Sequence, residues 1–338
     1  MDEKKITLAH GSGGKLMQEL INELILAEFG NAVLNRLDDS AVLDIKDKNK
    51  KIAFTTDSFV VSPIFFPGGD IGKLAVCGTV NDLSMMGATP KYLSAGVIIE
   101  EGFAIDDLKK IIRSMKKTLK IANVQIVCGD TKVVNKGHCD KIFINTSGIG
   151  IIDKKVNISA SCAKPGDLVI VSGSIGEHGV CILSEREGLK FKTQIKSDCA
   201  PLNGLVTDML KISGAVHVMR DATRGGIAAV LNEIAGLSNA GIEVEEQQIP
   251  VKAAVRGACE ILGLDPFYMP CEGRLVAFVE KKRATEVLKI MRKNQYAKTA
   301  QIIGKVVPEH KKEVYLNTIA GSDRILDMPI QEQMPRIC

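Results

Sequence analysis

The 338-residue sequence contains no tryptophan, and its aromatic residues make up only 4% of the chain. That scarcity argues against a platform on which nucleic-acid bases stack. A dominant charge is also missing. Lys and Arg number 44 against 40 Asp and Glu, and the net +4 is too small and too dispersed for a nucleic-acid footprint. No apolar run approaches the ~20 residues that span a bilayer. The first residues, MDEKKITLAHG, lack the apolar core of a signal peptide, so the cytoplasm is the expected location. No CxxC pair occurs, which excludes a zinc ribbon and a thioredoxin-like motif. No internal repeat is visible.

What remains is ordinary globular composition, with 45% hydrophobic and 25% charged residues. The length suggests about two domains. The nine cysteines are the odd feature. Most sit in apolar runs such as LAVCGTV and IVCGD, where Cys behaves as a small hydrophobe. Unpaired thiols fit a reducing compartment. Cys338 differs, because it is the last residue. Its position in MPRIC rules out a CaaX prenylation box.

Helical and strand patterns alternate along the chain. Residues 15–29 place Leu16, Leu20, Ile21, Leu24 and Ile25 on one stripe and predict a helix. Strands are expected at 40–45 and 51–56, a Gly-punctuated buried helix at 71–87, and a strand at 92–99. Residues 105–121 carry an amphipathic helical pattern. The runs 125–130 and 141–152 read as strands. A polar stretch at 153–166, ending in Pro-Gly-Asp, marks the boundary between residues 1–155 and 156–327. The second part predicts strands at 168–173, 216–220, 242–245, 274–279 and 301–307, with helices at 178–187, 201–213 and 225–237. Residues 328–338 carry two prolines and no periodicity, which predicts a mobile tail.

Several motifs carry polar groups to the ends of these elements. HGSGGK at 10–15 precedes a helix, so the backbone around Gly13, Gly14 and Lys15 is a candidate anion cradle. It is neither a P-loop nor a dinucleotide fingerprint, since Ala9 and Leu16 stand at positions those motifs reserve for other residues. Asp38, Asp39, Asp57, Asp82 and Asp130 interrupt or end apolar runs. A buried carboxylate needs a partner, and magnesium bridging to phosphates is one; capping and turns are the other use of Asp. In DATRGG at 221–226, Asp221 or Thr223 can cap the following helix while the glycines admit a ligand. His178 in GEHG reads as a surface or capping residue. Glu272 stands beside Arg274, as in a surface ion pair. Lys132 follows Asp130 by two residues and is a candidate for the same ligand.

Taken together, DDSAV (38–42), TTDSFVV (55–61), VNDLSMMGA (80–88) and CGDTKVV (128–134) resemble the acidic segments of the aminoimidazole-ribotide-synthetase-like superfamily. HGSGG, DATRGG and the terminal PRIC narrow the resemblance to its hydrogenase-maturation carbamoyl dehydratases. The resemblance implies an α/β (α+β) fold of two domains. The N-terminal domain would form a dimer sheet or barrel, the C-terminal α/β domain would cover the nucleotide, and a flexible tail would end in the carrier Cys. It implies ATP and Mg2+ as cofactors, with Asp39, Asp57, Asp82 and Asp130 facing the metal and Asp38 a close rival to Asp39. Thr131 and Lys132 would lie near the phosphates or the incoming tail.

The implied reaction is ATP-dependent dehydration of a carbamoyl group on Cys338 to an S-cyanate, through a phosphorylated amide oxygen. Glu272 is the candidate base, and Lys132 would orient the carboxamide. Implied partners are a HypF carbamoyltransferase, an iron-carrying HypC–HypD complex and a second copy of the chain, with no nucleic acid and no membrane. Two alternatives stand beside it. One is another small-molecule kinase or synthetase of the superfamily, with selenophosphate synthetase disfavoured because no Cys lies in the Gly-rich segment. The other is a non-catalytic carrier, against which the acidic set argues.

Overall fold

The computed structural model describes residues 6–11, 13–189, 194–329, 334 and 336–338. The N-terminal half runs through helix α1 (Lys15–Leu20), a π-helical turn at Ile21–Ile25, and α2 (Leu26–Phe29). Strands β1 (Ala41–Asp44) and β2 (Lys50–Phe59) follow, then a two-residue hairpin of β3 (Phe65–Phe66) and β4 (Gly69–Asp70). Helix α3 (Ile71–Met85), β5 (Thr89–Glu100), α4 (Ile105–Ala122), β6 (Gln125–Val134) and β7 (Ile142–Asp153) complete it. The five long strands pair in the order β1-β2-β7-β5-β6.

The C-terminal half contains β8 (Leu168–Val171), α5 (Glu177–Arg186), α6 (Asn203–Met209), β9 (Val216–Asp221) and α7 (Gly226–Ser238). It continues with β10 (Gly241–Glu245), α8 (Ala253–Leu262), β11 (Leu275–Val279), α9 (Ala284–Lys293), β12 (Gln301–Val307), β13 (Val314–Asn317) and β14 (Asp323–Ile325). These strands form a second sheet, β14-β13-β10-β12-β8-β11-β9. Helices α8 and α9 arise in stretches where the sequence pattern led to no prediction. Among the described residues, no helix is long and apolar enough to cross a membrane.

Helix α3 is the central packing element. Asp70 caps it, accepting from Gly72 and Lys73 N–H at 2.8 and 3.1 Å, a device typically worth ~1 kcal/mol. The helix is buried around nearly its whole circumference. It lies between α4 and the inner face of the first sheet, and it also touches β9 of the second half. Gly148 of β7 permits this approach, because an added Cβ would stand 2.7 Å from Thr79. Along β7 every second residue is buried against α3 while its neighbours face outward.

The outer face of that sheet is unusually apolar. Phe54, Tyr92, Ile98 and Ile149, which share a face by register, are all exposed. Strand β6 forms an edge with nearly every residue exposed. Cys128 therefore lies on the surface, contrary to the expectation from its apolar run. The 15–29 segment also departs from expectation: it is broken by the π-turn, and its predicted stripe buries no residue fully. Leu24 and Ile25 are exposed because this segment roofs a cleft instead of packing on the core.

Candidate active site

Four carboxylates from distant parts of the chain meet where the two halves touch. Asp39 lies two residues before β1, Asp57 lies near the end of β2, Asp82 projects from α3, and Asp221 ends β9. Thr55 joins two of these elements. Its hydroxyl lies 2.9 Å from Asp82 Oδ2 and 3.1 Å from the Asp39 carbonyl. Thr79 donates to Asp57 Oδ2 at 3.3 Å. Burial raises the pKa of Asp57, and that of Asp82 well above the carboxylate range, with Asp57 adding repulsion to Asp82. Burial and the nearby Asp57 push Asp221 up to about 7.

One cation answers this negative crowd directly. Arg220 Nε meets Asp39 Oδ1 at 2.6 Å, and its Nη2 meets Glu233 at 2.9 Å. Burial still raises Asp39 well above its ordinary value, with Arg220 opposing it. The second Asp39 oxygen, Oδ2, is buried without a partner, as is the hydroxyl of Ser40. Asp38 differs. It pairs with Arg36 at 2.8 Å and accepts from Ser159 Oγ and the Ala160 N–H, both at 2.9 Å. Asp38 thus ties the two halves together, and Asp39 is the member of the pair that faces the acids.

The glycine motifs converge on the same cleft. Gly13, at φ +78°, backs onto Arg224, whose guanidinium donates to the Gly11 carbonyl at 2.7 Å. Lys15 donates its backbone N–H to the Pro329 carbonyl at 2.9 Å, where the tail begins. Neither Asp221 nor Thr223 caps α7. The cap is Gly225, at φ +74°. Gly226 is also left-handed, and a Cβ there would stand 2.5 Å from the Phe267 oxygen. A cavity of about 740 Å³ opens between these parts, lined by Gly13, Met17, Asp39, Arg220, Asp221 and Arg224. Its size suits a nucleotide-sized ligand.

Glu272 lies near this cluster and is 3% exposed, so it is not the surface partner of Arg274. Arg274 instead approaches Glu177 and Asp198. Asp198 also accepts from the Glu272 and Gly273 N–H groups. Glu272 Oε1 is buried without a partner, and burial raises its pKa well above the ordinary glutamate value. Such a carboxyl is a strong proton acceptor once ionised.

Asp130, Thr131 and Lys132 stand apart. Asp130 aligns with Gly96, Gly96 with Asn145, and Asn145 with Ser58 across the sheet. Asp57, one residue earlier in β2, points to the opposite, α3-facing side, opposite Thr146. Asp130 pairs with Lys132 at 2.6 Å on the exposed edge. Within one chain Asp130 and Lys132 therefore face away from the acid cluster, and Thr131 between them lies on the exposed edge strand.

The end of the tail docks beside β2. Val60, just beyond β2, donates its N–H to the backbone oxygen of Cys338 at 2.9 Å. Met334 and Ile337 are 2% and 1% exposed. Both belong to the main core cluster, so two isolated apolar side chains and backbone hydrogen bonds, rather than a periodic face, hold the tail. Pro335 and residues 330–333 lie outside the described residues.

Sequence and structure comparisons follow this geometry closely. Residues 37–152 match the N-terminal domain of the AIR synthase related proteins, and residues 164–317 match their C-terminal domain. A putative hydrogenase expression/formation protein of Methanocaldococcus jannaschii is 49% identical over 99% of this chain and 100% of its own. The carbamoyl dehydratase HypE of Escherichia coli is 47% identical over 98% and 99%. A crystal structure of a HypE–HypF complex superposes with a TM-score of 0.87 at 51% identity, covering 92% of this chain and 99% of that one. The hydrogenase maturation protein HypE in complex with ATP gives 0.83 at 46% identity, covering 99% and 100%.

Proposed function

The chain belongs to the carbamoyl dehydratase HypE family of AIR synthase related proteins, enzymes of hydrogenase maturation, and we propose that the carbamoyl group it dehydrates is carried on Cys338. The observation that carries this reading is the backbone bond from Val60 to Cys338, three residues beyond Asp57. ATP occupies the cleft roofed by the Gly13–Gly14 turn between domains 1–155 and 156–327. The ATP-bound relative supports that assignment.

Magnesium fits the acid cluster. Among the described residues, no three carboxylate, imidazole or thiol groups enclose a metal by themselves. Mg2+ needs only one or two carboxylates when phosphate oxygens complete its shell. The unpartnered Asp39 Oδ2 and the crowded Asp57 and Asp82 carboxyls meet that requirement. When bound, the ion would neutralise charge on the transferring phosphoryl group.

The amide oxygen is a poor leaving group. Its attack on the γ-phosphorus releases ADP and gives an iminophosphate. Loss of the remaining N–H proton then forms C≡N as phosphate departs with the former amide oxygen. Each amide N–H proton needs an acceptor, and Glu272 is the base we assign. The product is an S-cyanate on Cys338.

A second copy completes the arrangement. The apolar outer face and the long β6 edge are unstable as free surfaces. Pairing two such faces forms a homodimer and carries Asp130, Thr131 and Lys132 toward the partner's cleft, where Lys132 orients the carboxamide. HypF supplies the carbamoyl group, as the complex of a relative with HypF supports. A HypC–HypD complex receives the cyano group on iron. The nine cysteines, none of them in a disulfide among the described residues, support a cytoplasmic setting. Mass spectrometry of the carbamoylated C-terminal peptide tests the reading: ATP must remove one water mass, and persistence of the adduct while ATP is consumed refutes it.

A further inference from the structure

One fully buried imidazole plays no part in this chemistry. His178, in the first turn of α5, is 0% exposed, not the surface or capping residue its motif suggested. Its Nε2 lies 2.8 Å from the Ile337 carbonyl, and its Nδ1 lies 2.8 Å from Ser197 Oγ. Phe66 meets the ring edge-on, with centroids 5.5 Å apart. Burial lowers the imidazole pKa to about 4, so it is neutral at physiological pH and has one N–H to give.

The partners decide where that hydrogen sits. A carbonyl only accepts, so Nε2 carries the hydrogen and donates to Ile337. Nδ1 then accepts from the Ser197 hydroxyl. Ser197 is itself fixed: its Oγ accepts from the Cys199 N–H at 3.1 Å, and its own N–H donates to Pro67 at 2.8 Å. The chain of donors therefore runs one way, from Cys199 through Ser197 and His178 to the penultimate residue of the tail.

Other groups grip the neighbouring Arg336. Arg186 donates to the Arg336 carbonyl at 2.9 Å and to the Ser62 carbonyl at 2.8 Å. Arg336 Nε donates to Val60 O at 3.0 Å, and its Nη1 meets Asp140 at 2.6 Å. Val60, Ser62 and Asp140 belong to the N-terminal half, whereas His178 and Arg186 come from α5 in the C-terminal half. The tail end is clamped between the halves.

We propose that His178, held in its Nε2–H tautomer by Ser197, is a positioning residue that seats the Ile337 carbonyl and so sets how much of the time Cys338 is presented to the reacting groups. The proposal rests on Cys338 being the carrier. Removing the donor leaves a buried carbonyl unpaired, which shifts the tail toward its undocked state by roughly ten-fold. Steps performed on the undocked tail, such as carbamoylation, do not slow. ATP binding does not involve His178.

The test uses the full-length protein with two variants, His178→Phe and Ser197→Ala. Release of Cys338 by carboxypeptidase reports docking. Single-turnover dehydration of carbamoylated protein reports presentation. Calorimetry with ATP serves as the control. We expect release to rise and turnover to fall by about the same ten-fold factor in His178→Phe, with ATP affinity unchanged. Ser197→Ala should shift both in the same direction by less, and His178→Gln, which keeps a donor near Nε2, should recover part of each. Unchanged release in both His178→Phe and Ser197→Ala overturns the dock, and Ser197→Ala decides the matter should His178→Phe fail to fold. Faster release with unchanged turnover overturns its role in presentation. Should wild-type Cys338 itself fail to be dehydrated, the carrier reading falls, while the release measurement still decides the dock.

Discussion

The backbone N–H of Val60 donates to the backbone oxygen of Cys338 at 2.9 Å, so the end of the chain is tied to the strand that carries Asp57. Residues 278 apart in sequence, counted as 338 minus 60, thereby share one hydrogen bond beside the acid cluster. On the proposed reading, this contact holds the carrier residue beside the carboxylates that receive Mg-ATP.

Asp82→Asn should separate stability from function. In the ligand-free protein Asp82 is buried among Asp57, Asp221 and Asp39, which costs folding energy. Making it neutral should stabilise the apoprotein by about 1 kcal/mol, read as a higher midpoint of thermal unfolding. The same change should slow ATP-dependent dehydration by roughly 100-fold or more and remove stabilisation by Mg-ATP.

Arg220→Met should have the opposite effect on folding. Arg220 pairs with both Asp39 and Glu233, and all three are largely buried. Its loss leaves two carboxylates without their cation and should cost about 3 kcal/mol, measured by urea denaturation. Replacement of Arg36, the exposed partner of Asp38, should change stability far less.

These acids differ in how plainly the sequence announces them. Asp39, Asp57 and Asp82 interrupt or end apolar runs, and a carboxylate placed there has little choice but burial, whereas Asp221 follows Arg220 and reads as a helix cap. Arg220 escaped notice because its partner Asp39 lies in the other half of the chain. His178 was misjudged for the same reason, since Ile337 is 159 residues away. Asp130 was legible as a motif but not as a position. Spacing reveals neither which face of a sheet a residue takes nor that β6 forms an edge. The first helix was over-read, because a stripe of Leu and Ile signals amphipathicity without saying whether it covers a core or a cleft.

Acid should weaken the protein through His178. Its pKa is lowered from 6.5 to about 4 in the folded state, so the unfolded chain binds a proton first as pH falls. The contribution to stability is complete above pH 6.5 and is lost progressively between pH 6.5 and about 4. The full span is worth about 3 kcal/mol. Chemical denaturation at pH 7.5 and pH 4.5 should show a smaller difference for His178→Gln than for the wild type.

Exchange between subunits tests the role given to the β6 edge. Asp82→Asn and Asp130→Asn proteins should each be inactive alone. Mixed and allowed to exchange, they form heterodimers in which one of the two sites is intact, and activity should recover to about a quarter of wild type. Ile98→Lys, on the exposed outer face of the sheet, should yield monomers by light scattering and abolish turnover.

The fate of the amide oxygen tests the central claim most directly. Protein carbamoylated on Cys338 with an 18O-labelled carboxamide is given unlabelled ATP and Mg2+ in unlabelled water, and the released inorganic phosphate is analysed by mass spectrometry. Phosphorylation of the carboxamide oxygen predicts one 18O atom in each phosphate formed and a cyano group left on Cys338. Unlabelled phosphate, released together with the same cyano group, would contradict it.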